Sequence, residues 1–202
     1  MNQITLQNLA PGFQDPQLDS QLVFRTALQA LARPGQIQTL DRLPEPPAPL
    51  GAAAAALALA LCDLETPVAL SEDLRGATFD YLAFHTGAPL AATVGAASFV
   101  LVGNGNHLPD LSAIDFGDAE DPERAATLII QVEHLEAGPG QRLRGPGISG
   151  HIDVRVDGIA DAFWDALKLN RKRFPLGFDT FLVTGRSVLG LPRTVILDAE
   201  EA

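Results

Sequence analysis

Apolar residues along this chain recur at two spacings, and segments of the two kinds alternate. In the first helical segment Phe24, Ala27, Leu28 and Leu31 predict a core-facing stripe, with Gln21, Arg25 and Gln29 on the opposite side. The turn Gly12-Phe13-Gln14-Asp15-Pro16 precedes it, and Asp19 or Ser20 offers a side-chain oxygen as its cap. Arg33-Pro34-Gly35 ends it, because proline disfavours helical geometry in the residue before it and glycine tolerates the exit conformation. A short strand over 36–40 and a rigid loop with four prolines over 43–50 follow. Residues 51–61 are nearly all alanine and leucine, which predicts a helix buried on most sides. A strand over 68–70, a helix over 77–85 stopped by Gly87, and buried strands over 97–102 and 127–132 come next. Ile152, Val154 and Val156 alternate with charged residues, predicting a strand with one solvated face. A helix over 161–172 should turn Phe163, Trp164, Leu167 and Leu169 inward. Beyond Pro175 and Gly177, the runs 181–183, 188–191 and 194–197 read as short strands separated by tight turns. Interleaved strands and helices predict an α/β fold: one domain over 1–202, a layered mixed sheet flanked by helices.

The length of 202 residues fits one domain with a substantial core. Residues 1–11 lack the positive start and apolar core of a signal peptide, so a soluble, cytoplasmic protein is expected. The single cysteine, Cys62, cannot form an internal disulfide and should sit unreactive in a helix. A net charge of −11 argues against nucleic acid and anionic membrane as partners, since both attract basic surfaces. The distribution is uneven. Residues 141–193 hold nine Lys or Arg against five Asp, a local +4, so the rest carries −15. Such asymmetry suits a bound anion, an acidic partner or simply a solvated helix face.

Candidate chemistry gathers near that basic region. Leu143-Arg144-Gly145-Pro146-Gly147-Ile148 can bring backbone amides and an arginine to a phosphate, or can be a plain tight turn. It is neither a dinucleotide fingerprint nor a P-loop. The histidines at 85, 107, 134 and 151 have no metal-site spacing, so no metal is expected. His85 is the best candidate for a functional imidazole, against a capping or packed role. Asp63, Glu65 and Thr66 read as a polar cluster at a strand entrance or as turn termini. The only lysines, Lys168 and Lys172, lie on the polar side of one helix, which disfavours a pyridoxal phosphate enzyme. No serine sits in a nucleophile elbow, and one cysteine cannot hold an iron-sulfur cluster.

Taken in order, Gly12-Phe13-Gln14-Asp15-Pro16, Ser20-Gln21 with Phe24-Arg25, Ala32-Arg33-Pro34-Gly35, Phe84-His85-Thr86-Gly87, Leu143-Arg144-Gly145-Pro146-Gly147-Ile148, Phe174-Pro175-Leu176-Gly177 with Asp179, and Leu191-Pro192-Arg193-Thr194 resemble the PhnH family of phosphonate metabolism. The resemblance spans almost the whole chain. It implies a fold similar to the large domain of pyridoxal-phosphate transferases, without that cofactor or any other. It implies a homodimer that enters a carbon-phosphorus lyase core complex with G, I and J subunits. With G, I and L partners, the family takes part in forming α-D-ribose 1-methylphosphonate 5-triphosphate from MgATP and methylphosphonate, releasing adenine. Nucleosidase chemistry is placed on the I subunit, and radical cleavage with an iron-sulfur cluster on the J subunit. Arg144, Gly145, Gly147 and Arg193, with Arg25 and His85 as outsiders, are the expected contacts to a phosphate- or phosphonate-containing ligand or to a partner. The rival expectations are a purely structural assembly subunit with no ligand site and, last, a stand-alone transferase.

Overall fold

Asp15 starts the first helix, α1 (Pro16–Ala32), in the computed structural model, which describes residues 9–198. Its carboxylate accepts from the Leu18 amide, and Pro16 fits the first helical position, where its missing N–H costs nothing. Asp19 is therefore not the cap. It is buried, it accepts from the Asp15 amide at 3.0 Å, and it faces Arg42 at 3.6 Å. The buried stripe of α1 is Asp19, Val23, Ala27 and Ala30, while Phe24 and Leu28 are 45% and 51% exposed. The expected stripe is thus rotated about a quarter turn: of its four residues Ala27 is buried and Leu31 packs half-buried against the core. Small residues win the inner face because α1 lies directly on a strand: Gly190 packs against the Ala30 backbone, where a larger chain would not fit.

The main sheet has six strands in the order β1-β8-β7-β4-β3-β2. These are β1 (Gln38–Thr39), β2 (Val68–Leu70), β3 (Phe99–Val102), β4 (Thr127–Gln131), β7 (Asp179–Thr184) and β8 (Ser187–Leu191). β2, β3, β4 and β7 are mutually parallel, and β8 runs antiparallel to β7 and β1. Side chains alternate strictly between two cores. Leu101, Ile129, Phe181, Val183 and Val188 point to one, while Val100, Val102, Leu128, Ile130, Leu182, Leu189 and Leu191 point to the other. Strands buried on both faces need continuous apolar runs, which is how 97–102 and 127–132 read. Each such side chain contributes roughly 1.5–3 kcal/mol by leaving water.

The first core is roofed by α1, α2 (Ala52–Leu61) and α3 (Ala77–Thr86). α2 buries Ala53 to Ala58 without exception, so its backbone approaches β4 and β7 as well as α1. α3 stops at Gly87 in the left-handed conformation. The second core lies under α4 (Asp161–Lys172) and a three-stranded antiparallel sheet, β6-β5-β9, made of β5 (His134–Arg144), β6 (Ile152–Asp157) and β9 (Ile196–Leu197). α4 turns Phe163, Trp164 and Leu167 inward as expected, but Leu169 is exposed and Asn170 is buried in its place. The chain is thus an α/β protein with a mixed sheet covered on both faces. No helix among the described residues is long and apolar enough to cross a membrane.

Candidate functional site

The residues singled out in the sequence meet in pairs, and each pair fastens one end of an element. The first joins the start of α1 to the end of α3. His85 Nε2 lies 3.0 Å from the Ala10 carbonyl, Tyr81 donates to the Pro11 carbonyl at 3.3 Å, and Gly12 packs flat on the imidazole. Tyr81 and His85 also meet edge to face, with centroids 4.6 Å apart. His85 holds a chain crossing here, which is the packed role weighed for it.

The second pair joins the exit of α1 to the glycine-rich turn after β5. Gly147 has a φ of +84°, and a Cβ there would run into the Ala32 carbonyl and the Pro34 ring. Gly145 closes a turn through its carbonyl to the Ile148 amide at 3.1 Å. Arg144, the last residue of β5, pairs through Nε with Asp198 at 2.6 Å, with about half its side chain exposed. This geometry is that of a tight turn docked against a helix end.

The third pair is the best ordered. Asn170 donates to the Phe178 carbonyl at 2.8 Å and accepts from the Phe178 amide at 2.9 Å, so one buried side chain satisfies both backbone groups. Gly177 reaches this position at φ +130°, with no room for a Cβ beside the Asn170 amide. One residue on, Asp179 accepts from the Arg193 amide at 2.7 Å and from its guanidinium at 2.7 and 3.3 Å. Arg193 Nη1 reaches the Pro122 carbonyl at 2.8 Å, which anchors the loop over 110–123, rich in Asp and Glu. With side chains 15% and 21% exposed, the Arg193–Asp179 pair is shielded and occupied.

Arg25 lies on the outer face of α1, exposed and without an ion pair among the described residues. Arg186 closes the β7–β8 turn onto the Leu40 and Asp41 carbonyls. Asp63, Glu65 and Thr66 hydrogen-bond one another as turn termini. Cys62 caps the C-terminal end of α2, and burial, with Asp63 adding to it, pushes its thiol up to about 12.

A concave feature lies elsewhere, beside the edge strand β2, between the chain that leaves it and the segments on either side of β3. It is a cleft of about 640 Å³ with apolar walls from Leu70, Val94, Val100 and Leu108, and with Ser71, Glu72, Arg75, Thr93 and His107 as polar groups. Arg75 pairs with Glu72 at 3.1 Å on the exposed rim. Clefts of this volume, apolar with a few polar groups, suit small molecules. No group of three or more potential metal ligands gathers among the described residues.

Residues 11–198 match the family model for a bacterial phosphonate metabolism protein, PhnH. The chain belongs to the PhnH family. A Rhizobium meliloti relative named alpha-D-ribose 1-methylphosphonate 5-triphosphate synthase subunit PhnH is 41% identical over 190 residues, covering 94% of this chain and 95% of its own. A Stutzerimonas stutzeri relative named putative C-P lyase subunit protein HtxG is 33% identical over 182 residues, covering 90% and 87%. The PhnH resemblance read from the sequence is therefore correct, and six of its seven motif pieces are the partners in the three fastenings above. Sequence reasoning passed over Asn170, whose helical position called for an apolar residue. It also passed over the cleft residues, which are scattered over 69–109 and share no motif.

Proposed function

We propose that this chain is the PhnH-type subunit of a bacterial phosphonate-catabolising assembly and works through its partners. The observation that carries this reading is the 41% identity, nearly end to end, with a relative whose name makes it a subunit of ribose methylphosphonate triphosphate synthase. In this reading it is a cytoplasmic protein, a homodimer when alone, that joins G, I and J subunits in a carbon-phosphorus lyase core complex. With G, I and L partners it takes part in forming α-D-ribose 1-methylphosphonate 5-triphosphate from MgATP and methylphosphonate. The engagement of Arg144 and Arg193 in ion pairs supports a role through assembly and speaks against a stand-alone transferase. A likeness to the large domain of pyridoxal-phosphate transferases is supported by the parallel core of the sheet with antiparallel β8 beside it, while both lysines sit on α4. Co-expression of the tagged chain with G and I subunits, followed by size-exclusion chromatography, tests the proposal. Co-elution is expected; a chain that elutes without them overturns it.

The cleft favours a second reading, in which the subunit also holds a small phosphorylated ligand, with Arg75 as its charged contact. Calorimetry with ATP, methylphosphonate and ribose 5-phosphate, repeated on Arg75→Ala, tests it. Heat that disappears in the variant is expected, and no heat with any of the three removes the reading.

A further inference from the structure

The acidic chain carries one surface of the opposite character, at the C-terminal end of α4. Arg171, Lys172 and Arg173 follow one another there, and none of them forms an ion pair among the described residues. Every other basic side chain of the 141–193 region is engaged: Arg142 with Asp153, Arg144 with Asp198, Arg155 with Asp157, Lys168 with Asp165, Arg186 with backbone carbonyls and Arg193 with Asp179. The local positive balance thus resolves into a single unneutralised cluster. Two large apolar side chains stand beside it, Leu169 at 54% and Phe174 at 50% exposure. Arg171 lies over the Phe174 ring at 5.1 Å and Arg173 over the Phe116 ring at 3.7 Å, so the guanidinium groups are held by aromatic faces. The base beneath is rigid, since Asn170 clamps Phe178 and Arg193 clamps Asp179 directly below.

Resting on the subunit reading above, we infer that this surface docks a partner subunit through an acidic patch that surrounds an apolar recess. Arginines and an aromatic side chain at one spot form the kind of anchor that protein interfaces centre on. The exposed Leu169 and Phe174 decide for a protein over a free phosphate compound, which would use the cations and leave both apolar groups in water. The cluster supplies attraction and orientation, and the apolar pair supplies the slow dissociation.

The test uses the purified full chain and the co-expressed G and I subunits, with affinity measured at low and physiological salt. Lys172→Glu combined with Arg173→Glu, and the milder Lys172→Gln combined with Arg173→Gln, address the cluster; Leu169→Ala addresses the apolar contact. All of these positions are exposed, so thermal melting should match wild type and certify the fold. Charge reversal should weaken capture roughly ten-fold or more and abolish its salt dependence, with the Gln pair intermediate. Wild-type affinity in all three variants overturns the docking site while leaving the subunit reading intact. A wild-type chain that captures neither subunit overturns both. Loss of a homodimer in the variants with unchanged capture of G and I overturns it in favour of self-association. Loss of tripolyphosphate binding with unchanged capture overturns it in favour of a small anion.

Discussion

Asn170 shows how one polar side chain can organise a segment that reads in sequence as a loop. Replacing it by alanine leaves the buried Phe178 amide and carbonyl unpaired, and Asn170→Ala should cost about 2–4 kcal/mol in denaturant unfolding. Arg193→Ala should cost about 2 kcal/mol in the same measurement, because it strands the shielded Asp179 carboxylate. A phosphate-binding Arg193 would instead leave stability unchanged. The arginines and glycines were visible in the sequence, but their roles were not, because the same Arg-Gly-Pro-Gly string serves a phosphate or a helix end depending on what packs against it. Only the neighbour decides, and Ala32 lies 115 positions before Gly147. The buried Cys62 thiol, pushed up to about 12, gives almost no thiolate at neutral pH, in keeping with the unreactive cysteine expected from sequence. Iodoacetamide at pH 7.5 should label it only after unfolding, as mass spectrometry will report.

At the scale of elements, α1 is the instructive case. Its boundaries were legible, since proline and glycine mark the exit, but its facing was not. Phe24 and Leu28 are each larger than Val23, Ala27 or Ala30, yet the close approach to β8 selects small residues. Phe24→Ser should therefore change the unfolding midpoint little, within about 0.5 kcal/mol. Gly190→Ala should destabilise by about 1–3 kcal/mol through overpacking against the Ala30 backbone. The strands were more readable because burial on both faces leaves a continuous apolar run, which no register choice can hide. The bounds of β5 are harder to read: its run is polar and interrupted around Gly138-Pro139-Gly140, where the pairing with β6 shifts register.

For the whole molecule, the lone tyrosine reports the global transition. Burial holds the Tyr81 phenol up to about 12. The unfolded chain gives up that proton near pH 10 while the native one keeps it, so stability is complete below about pH 10 and falls as pH rises toward 12. Phenolate absorbance should lag behind that of a free tyrosine and appear together with the loss of far-ultraviolet ellipticity. The pairing of Gln38 with Val188 has a different kind of consequence. A ribosome delivers β1 early and must add about 150 residues before its neighbour β8 exists, and β9 joins β5 later still. The nascent chain therefore carries an open sheet edge through most of its synthesis, so a premature stop before β8 should leave a product that chaperones hold and proteases clear.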